Sequence, residues 1–487
     1  MSMLVKLGTP SGGAALRPIW RSEGEARAAP VPAVADGALQ PFAGLVGAFL
    51  LFAVARGGSS ADMLAGGIVN LCAIPLLAVA LWRLLHVDRA RGWAWPGILL
   101  AAAFALGLAQ LAPVPPELWT AFAGREAVVQ GYAAAGLPLP WLPMSLTPDQ
   151  TRAAVMGLIP PTAVFAALLT LNARSRLWLA AVAVVCAIAS MLLGMAQLAG
   201  GVESPLRFYE VTDAHAAVGF FANRNHQGAL LAVSLPLLAA VAVASPAQRG
   251  PQGALRAVLG FAVAGTLVVG VAAAMSRAGA ILAVLGALGA WAVIRQRGGP
   301  AMARGLWPTA ARIGLAGLAS GALFLAFVFT GLADRFGSGV SDDLRRQLTP
   351  TVIEAGRAFA PLGSGLGSFK AVYPMFEPIE RVSDVFINHA HNDYVETWLE
   401  CGWPGLALAG AFVLWWAVRA LGIVRSGRGS EQAVALAGAL VAGLLLAHSA
   451  LDYPLRAPAL ATLFAFACGL MVPSPVRRVE ADPGPGR

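Results

Sequence analysis

The sequence predicts an all-α fold: a polytopic bundle of about twelve membrane-crossing helices, with a long outward loop that contains short helices. Three observations carry this prediction. Of 487 residues, 58% are hydrophobic and only 12% are charged, whereas a soluble domain carries about 25% charged residues. Apolar runs near the length that crosses a bilayer as a helix, about 20 residues, recur along the chain. Lys and Arg concentrate in alternate short loops, as the positive-inside bias requires. The net charge of +9 is therefore read as membrane topology. No RNA- or DNA-binding signature interrupts the runs, so nucleic acid is not an expected partner.

The first 38 residues are rich in Pro, Ala, Gly and Arg and lack an apolar core. They are expected to form a disordered cytoplasmic tail and not a cleavable signal peptide. Apolar runs follow at roughly 40–56, 63–85, 94–113, 153–172, 177–199, 226–245, 256–275, 278–295, 311–333, 404–424, 432–451 and 457–473. Together they make a membrane domain over 39–473, before a polar tail at 474–487. The basic loops carry Arg89 and Arg91, Arg174 and Arg176, Arg249 and Arg256, Arg295 to Arg312, and Arg425 and Arg428. They alternate, and all fall on the side of the basic N-terminal tail. Twelve spans with both termini cytoplasmic satisfy every one of them. The protein is then a multi-pass protein of a bacterial inner membrane, in contact with membrane lipids.

The remaining loops face the periplasm or cell exterior, and two of them, 114–152 and 334–403, are long. The first is rich in Pro and carries Trp119 and Trp141, residues typical of a membrane interface. It ends in Ser145-Leu-Thr-Pro-Asp149, a helix-start signal. The four cysteines, Cys72, Cys186, Cys401 and Cys468, form no C-x-x-C, so neither a disulfide framework nor a zinc site is expected. No repeat of fixed period argues for a transporter.

The polar stretch Asn388 to Gly405, NHAHNDYVETWLECGWPG, stands out in this oily chain. Asn388 is expected to cap a helix running to about Cys401, with Gly402 and Pro404 as its stop. Tyr394, Val395, Trp398 and Leu399 fall on one apolar stripe, which fits a helix lying on a membrane. Asp393, Glu396 and Glu400 form a separate acidic face, to which the sequence assigns no role. His391 would lie in the first turn, where the positive dipole end favours the neutral imidazole. Neutral His accepts protons, and an unperturbed His titrates at about 6.5, near a useful general-base value. H-x-H spacing with Asp393 is a weak metal signal, and no metal or other cofactor is expected.

Two arginines run against the positive-inside trend. Arg224 lies in Gly219-Phe-Phe-Ala-Asn-Arg-Asn-His226, directly before a span, and Arg277 lies in the tight turn Met275-Ser-Arg-Ala-Gly279. A single such residue is most simply a snorkelling side chain. Two on one face, with a loop His, point to an anion site, and guanidinium suits phosphate because it donates in a planar fork. Gly363-Ser-Gly-Leu-Gly-Ser-Phe369 lacks the Lys-Ser/Thr pair of a phosphate loop and is expected to form a tight turn. His448 and Asp452 bracket the outer end of a late span and are candidates to line the same cavity. Glu210, Asp213 and His215 are weaker ones.

These segments resemble the O-antigen ligase and polymerase family of bacterial membrane proteins. The family pattern is His, then Asn, Ser or Gln, nine residues, and Gly-x-x-Gly. It is met by His391-Asn392 and Gly402-Trp-Pro-Gly405. Phe221 to His226, Ser276-Arg277, Pro361 to Phe369 and the Trp119 to Pro148 loop are similar to further family blocks in the same order. Leu406 follows the second glycine, where ligases often carry a small polar residue, so ligase and polymerase both stay open. The resemblance implies a GT-C-like bundle and an undecaprenyl-diphosphate-linked glycan donor. The acceptor it implies is lipid A-core, another glycan, or a protein Ser or Thr, at the periplasmic face. The chemistry of the residues fits that donor: Arg224 and Arg277 are expected to bind the leaving diphosphate, and His391 to serve as base. Asn392, Asn223, His226, Gly402, Gly405 and Asp452 are the supporting residues. A flippase of polyprenyl-linked glycans shares the layout, but it should place charge at mid-depth within its spans. The polar load here sits at the outer face.

Overall fold

The computed structural model describes residues 38–59, 63–86, 92–244, 251–297, 339–382, 386–427 and 429–475. Among the described residues, eight helices are long and apolar enough to cross a membrane, and Pro41–Arg56, Val258–Ala273 and Pro458–Met471 are shorter apolar ones. The fold is the all-α polytopic bundle the sequence predicts. The span expected at 311–333 and nearly all of both tails lie outside the described residues.

Local chemistry starts and ends these helices where the polarity changes. Pro41, Pro148, Pro160 and Pro458 sit at first or second helical positions, where the missing N–H has no intrahelical partner to lose. Asn172 caps Ala173–Ala199 by accepting from the Ser175 N–H at 2.9 Å. The run expected at 153–172 forms Pro148–Met156 and Ile159–Thr170, separated at Gly157 and Leu158.

Arg224–Ala244 is the central helix, buried along nearly its whole length. Ala173–Ala199, Pro251–Ala273, Arg277–Arg297 and Ser430–His448 pack around it. Its closest approach is to Arg277–Arg297. A Cβ built on Gly228 or Gly279 would stand 3.0 Å from the other's Cα. Without a hydrophobic force between helices in lipid, such small-residue contacts carry the packing. They also set the first turns of these two helices, with Arg224 and Arg277, side by side.

A smaller layer covers the end of the bundle where those two helices begin. Its core is Leu348, Val352, Ala355, Phe359, Phe369, Val372, Tyr373, Ala390 and Leu399. The 114–152 loop is latched onto it. Pro113–Val114 pairs antiparallel with Leu142–Pro143, and buried Arg125 donates to the Met144 and Gly363 carbonyls at 2.7 and 3.4 Å. Burial lowers the Arg125 pKa to about 10, so the guanidinium stays charged. The Gln110 amide also bridges, donating to the Glu400 carbonyl at 3.0 Å and accepting from the Leu366 N–H at 2.9 Å.

Asp393–Arg425 contains a break at Gly402, with φ 56° and ψ −145°. The expected stop is thus a hinge between a polar segment and the membrane-crossing remainder. Gly402 is required twice, by its backbone angles and because a Cβ would run into the Pro361 carbonyl. Gly402→Ala is expected to cost about 1–3 kcal/mol from backbone strain alone, read as a lowered Tm in detergent; an unchanged Tm would refute the requirement. Gly405 makes room for the Cys401 and Thr397 side chains and is a packing residue.

Candidate active site

Four stretches far apart in sequence meet where Arg224–Ala244 begins. Their centre is Asp452, fully buried on the turn after Ser430–His448. Its Oδ1 lies 2.9 Å from His391 Nδ1 and accepts from the Tyr453 N–H at 3.0 Å. Its Oδ2 accepts from Asn225 Nδ2 at 2.6 Å and Asn223 Nδ2 at 3.3 Å. Four donors suit a carboxylate, which only accepts. Asn225 Oδ1 in turn accepts from Ser276 Oγ at 2.7 Å, and Ser276 Oγ accepts from the Gly279 N–H at 2.9 Å. One hydrogen-bonded chain therefore ties His391 to the residues beside Arg224 and Arg277.

The helix that follows His391 begins at Asp393 and not near Asn388. Asn392 is its cap: Oδ1 accepts from the Tyr394 and Val395 N–H groups at 3.0 and 3.1 Å. Its Nδ2 donates to the Ala450 carbonyl at 3.0 Å. His391 thus precedes the first turn, contrary to expectation, and adopts φ 52°. Both asparagines satisfy the capping rule; the left-handed backbone at His391 is what ends the helix at Asn392. With Nδ1 donating to Asp452, the neutral ring keeps its lone pair on Nε2. Its side chain is 21% exposed, so the imidazole is both oriented and reachable.

Arg224 and Arg277 are the first residues of their helices. The Arg224 N–H donates to Asp213 Oδ2 at 2.9 Å, which ties one of the weaker candidates into the same corner. Arg224 is partly exposed and Arg277 exposed. Both helices thus begin, N-terminal dipole ends first, at the corner that the Asn225–Asp452 contact joins to His391.

Tyr453 forms the wall. The rings of His389, His226 and His391 stand 4.2, 4.9 and 5.0 Å from its ring. Burial, aided by Asp452, pushes the Tyr453 hydroxyl up and keeps it protonated. His226 is buried edge-on to Tyr453, and among the described residues neither of its ring nitrogens has a hydrogen-bond partner. His226 packs behind the chain centred on Asp452 and does not join it. His389 Nδ1 donates to Glu396 Oε1 at 2.8 Å. Burial holds its pKa below the ordinary value, against the pull of Glu396. The two rings of the H-x-H pair thus serve different carboxylates. Among the described residues no group of three His, Cys, Asp or Glu side chains is arranged to hold a metal.

The acidic face is the buried face of the segment before Gly402, which reverses the membrane-surface reading of its apolar stripe. Glu396 and Glu400 are fully buried, and Asp393 nearly so. All three converge on Arg456, with Nη1 at 3.1 Å from Glu396 and 2.9 Å from Glu400, and Nε at 3.4 Å from Asp393. Burial alone would loosen the Arg456 proton, but the carboxylates outweigh it and hold its pKa above the usual value. Arg456 escaped the sequence reading, although it carries the signal that singled out Arg224 and Arg277: an arginine in an outward loop. Asn225 and Ser276 lay inside quoted motifs but were not assigned.

The fold and this corner define a class: many-helix membrane proteins with a carboxylate-oriented histidine and paired arginines at one end of the bundle. Residues 262–410 match the family model for O-antigen ligase. This match, over less than a third of the 487 residues, supports the resemblance to the O-antigen ligase and polymerase family. The matched region includes Arg277, His391, Gly402 and Gly405, and ends before Asp452. No curated protein matches the chain.

Proposed function

We propose that the protein moves a glycan from undecaprenyl diphosphate to an acceptor hydroxyl at the periplasmic face of a bacterial inner membrane, without a metal ion. The observation that carries this reading is the 2.9 Å contact between His391 Nδ1 and Asp452, which leaves Nε2 free on a reachable ring. Nε2 takes the proton of the acceptor hydroxyl, and the oxygen attacks the anomeric carbon. The bond from that carbon to the diphosphate oxygen breaks with inversion, and its electron pair leaves with undecaprenyl diphosphate. Arg224 and Arg277 meet the charge that develops on the leaving group. The acceptor is lipid A-core, another glycan, or a protein Ser or Thr.

The test uses purified protein in nanodiscs, with undecaprenyl-diphosphate glycan and each acceptor class in turn. Undecaprenyl diphosphate should be released only when one acceptor is present, with an inverted product linkage. Asp452→Asn should cut the rate by about 10²-fold or more, because the amide no longer fixes the imidazole tautomer. Donor that crosses vesicles intact, with no transfer to any acceptor, would make the protein a flippase instead.

A further inference from the structure

The left-handed backbone at His391, φ 52°, is a conformation that a residue with a Cβ seldom adopts and that surrounding contacts must impose. Those contacts are visible on both sides. Before His391, the Ala390 N–H donates to Glu396 Oε2 at 2.8 Å, and His389 Nδ1 donates to Glu396 Oε1 at 2.8 Å. After it, the Asp393 N–H donates to the Ser449 carbonyl at 2.8 Å, and Asp393 Oδ2 accepts from Ser449 Oγ at 2.7 Å. The two carboxylates that clamp the residues flanking His391 are held by the same guanidinium, that of Arg456. Its third partner, Glu400, accepts from the Phe369 N–H at 3.4 Å and anchors the covering layer. Arg456 also lies four residues after Asp452, and the Leu455 N–H between them donates to Asp393 Oδ2 at 3.3 Å. The turn that supplies the ring's hydrogen-bond partner thus also supplies the clamp on its backbone.

We propose that Arg456 is a positioning residue of the transfer reaction: by holding Glu396 and Asp393 it fixes the left-handed backbone of His391 and so aims the ring. The proposal rests on the reading of His391 as the base. A lysine in its place keeps the charge but not the fork that reaches three carboxylates. Removal of the guanidinium alone leaves those buried carboxylates uncompensated, so a charge-relieved variant accompanies the lysine.

Arg456→Lys and Arg456→Gln/Glu400→Gln are compared with wild type by Tm, by transfer kinetics and by diethyl pyrocarbonate labelling of histidines read by mass spectrometry. Exposed His86 and His215 serve as internal references for labelling. In folded variants kcat should fall about tenfold or more, with donor KM unchanged, and the labelling rate of His391 should shift several-fold relative to the references. Unchanged labelling of His391 overturns the proposal, as does a wild-type kcat or a loss confined to KM. Failure of both variants to fold also overturns it, since Arg456 would then serve the fold at large. If wild type transfers nothing, the functional reading fails by itself, while the labelling still reports whether Arg456 positions His391.

Discussion

Replacement of His391 by alanine is expected to lower kcat by about 10²–10⁴-fold, the usual contribution of a positioned general base. Donor KM should stay close to wild type, because the arginines assigned to the diphosphate stand on two other helices, Arg224–Ala244 and Arg277–Arg297. The backbone at this position complicates the alanine variant. With φ at 52°, alanine is strained whatever its chemistry, so lost activity could reflect lost structure. Asparagine is the better partner experiment, since it tolerates the left-handed region far more readily. His391→Asn should therefore keep the wild-type Tm and lose the same rate. The measurement is acceptor-dependent release of undecaprenyl diphosphate from protein in nanodiscs. Near-normal release from a folded asparagine variant would remove His391 from the mechanism.

The second large effect is expected at Arg277. The departing diphosphate gains charge as its bond to the sugar breaks, and fixed donors aimed at that charge are worth about 10²–10³-fold each. Arg277→Ala should fall in that range. Arg277→Lys should recover only part of the rate, because an ammonium is a point charge and does not donate as a planar fork. Exposure adds a second signature. Arg277 is exposed and Arg224 only partly so, so added salt should screen the Arg277 contribution more strongly. Measured kcat/KM should then fall with salt in wild type and in Arg224→Ala, and depend less on salt in Arg277→Ala. Equal salt slopes in all three, or full activity without Arg277, would refute the assignment.

The bundle was legible in the sequence because lipid imposes a one-dimensional rule: a run of apolar residues of the right length has few alternatives to a helix. The polar corner was legible in part, for a related reason. Arg224 and Arg277 stood out because charge at that place is costly, and His391 because it lies in a polar stretch of an oily chain. Pairing was not legible. That Asp452, rather than Asp393, would take His391 depends on contacts across 61 residues, and no local periodicity encodes them. The acidic face was left without a role for the same reason. Helical spacing grouped Asp393, Glu396 and Glu400 correctly, but spacing is blind to an arginine two spans later that turns a solvated face into a buried one. The capping rule failed more narrowly: it allowed two asparagines four residues apart, and only the left-handed turn at His391 chose between them.

The position of Asp452 has a consequence for biogenesis. It lies on the turn that precedes Pro458–Met471, the last apolar helix among the described residues, whereas Asn223, Asn225 and Ser276 are made more than 170 residues earlier. During synthesis the arginine-bearing helices enter the membrane long before the carboxylate that aims the histidine exists. On the proposed mechanism, a nascent chain is inert until the turn that bears Asp452 has docked. On that reading, the order of translation itself keeps a half-built protein from spending the donor.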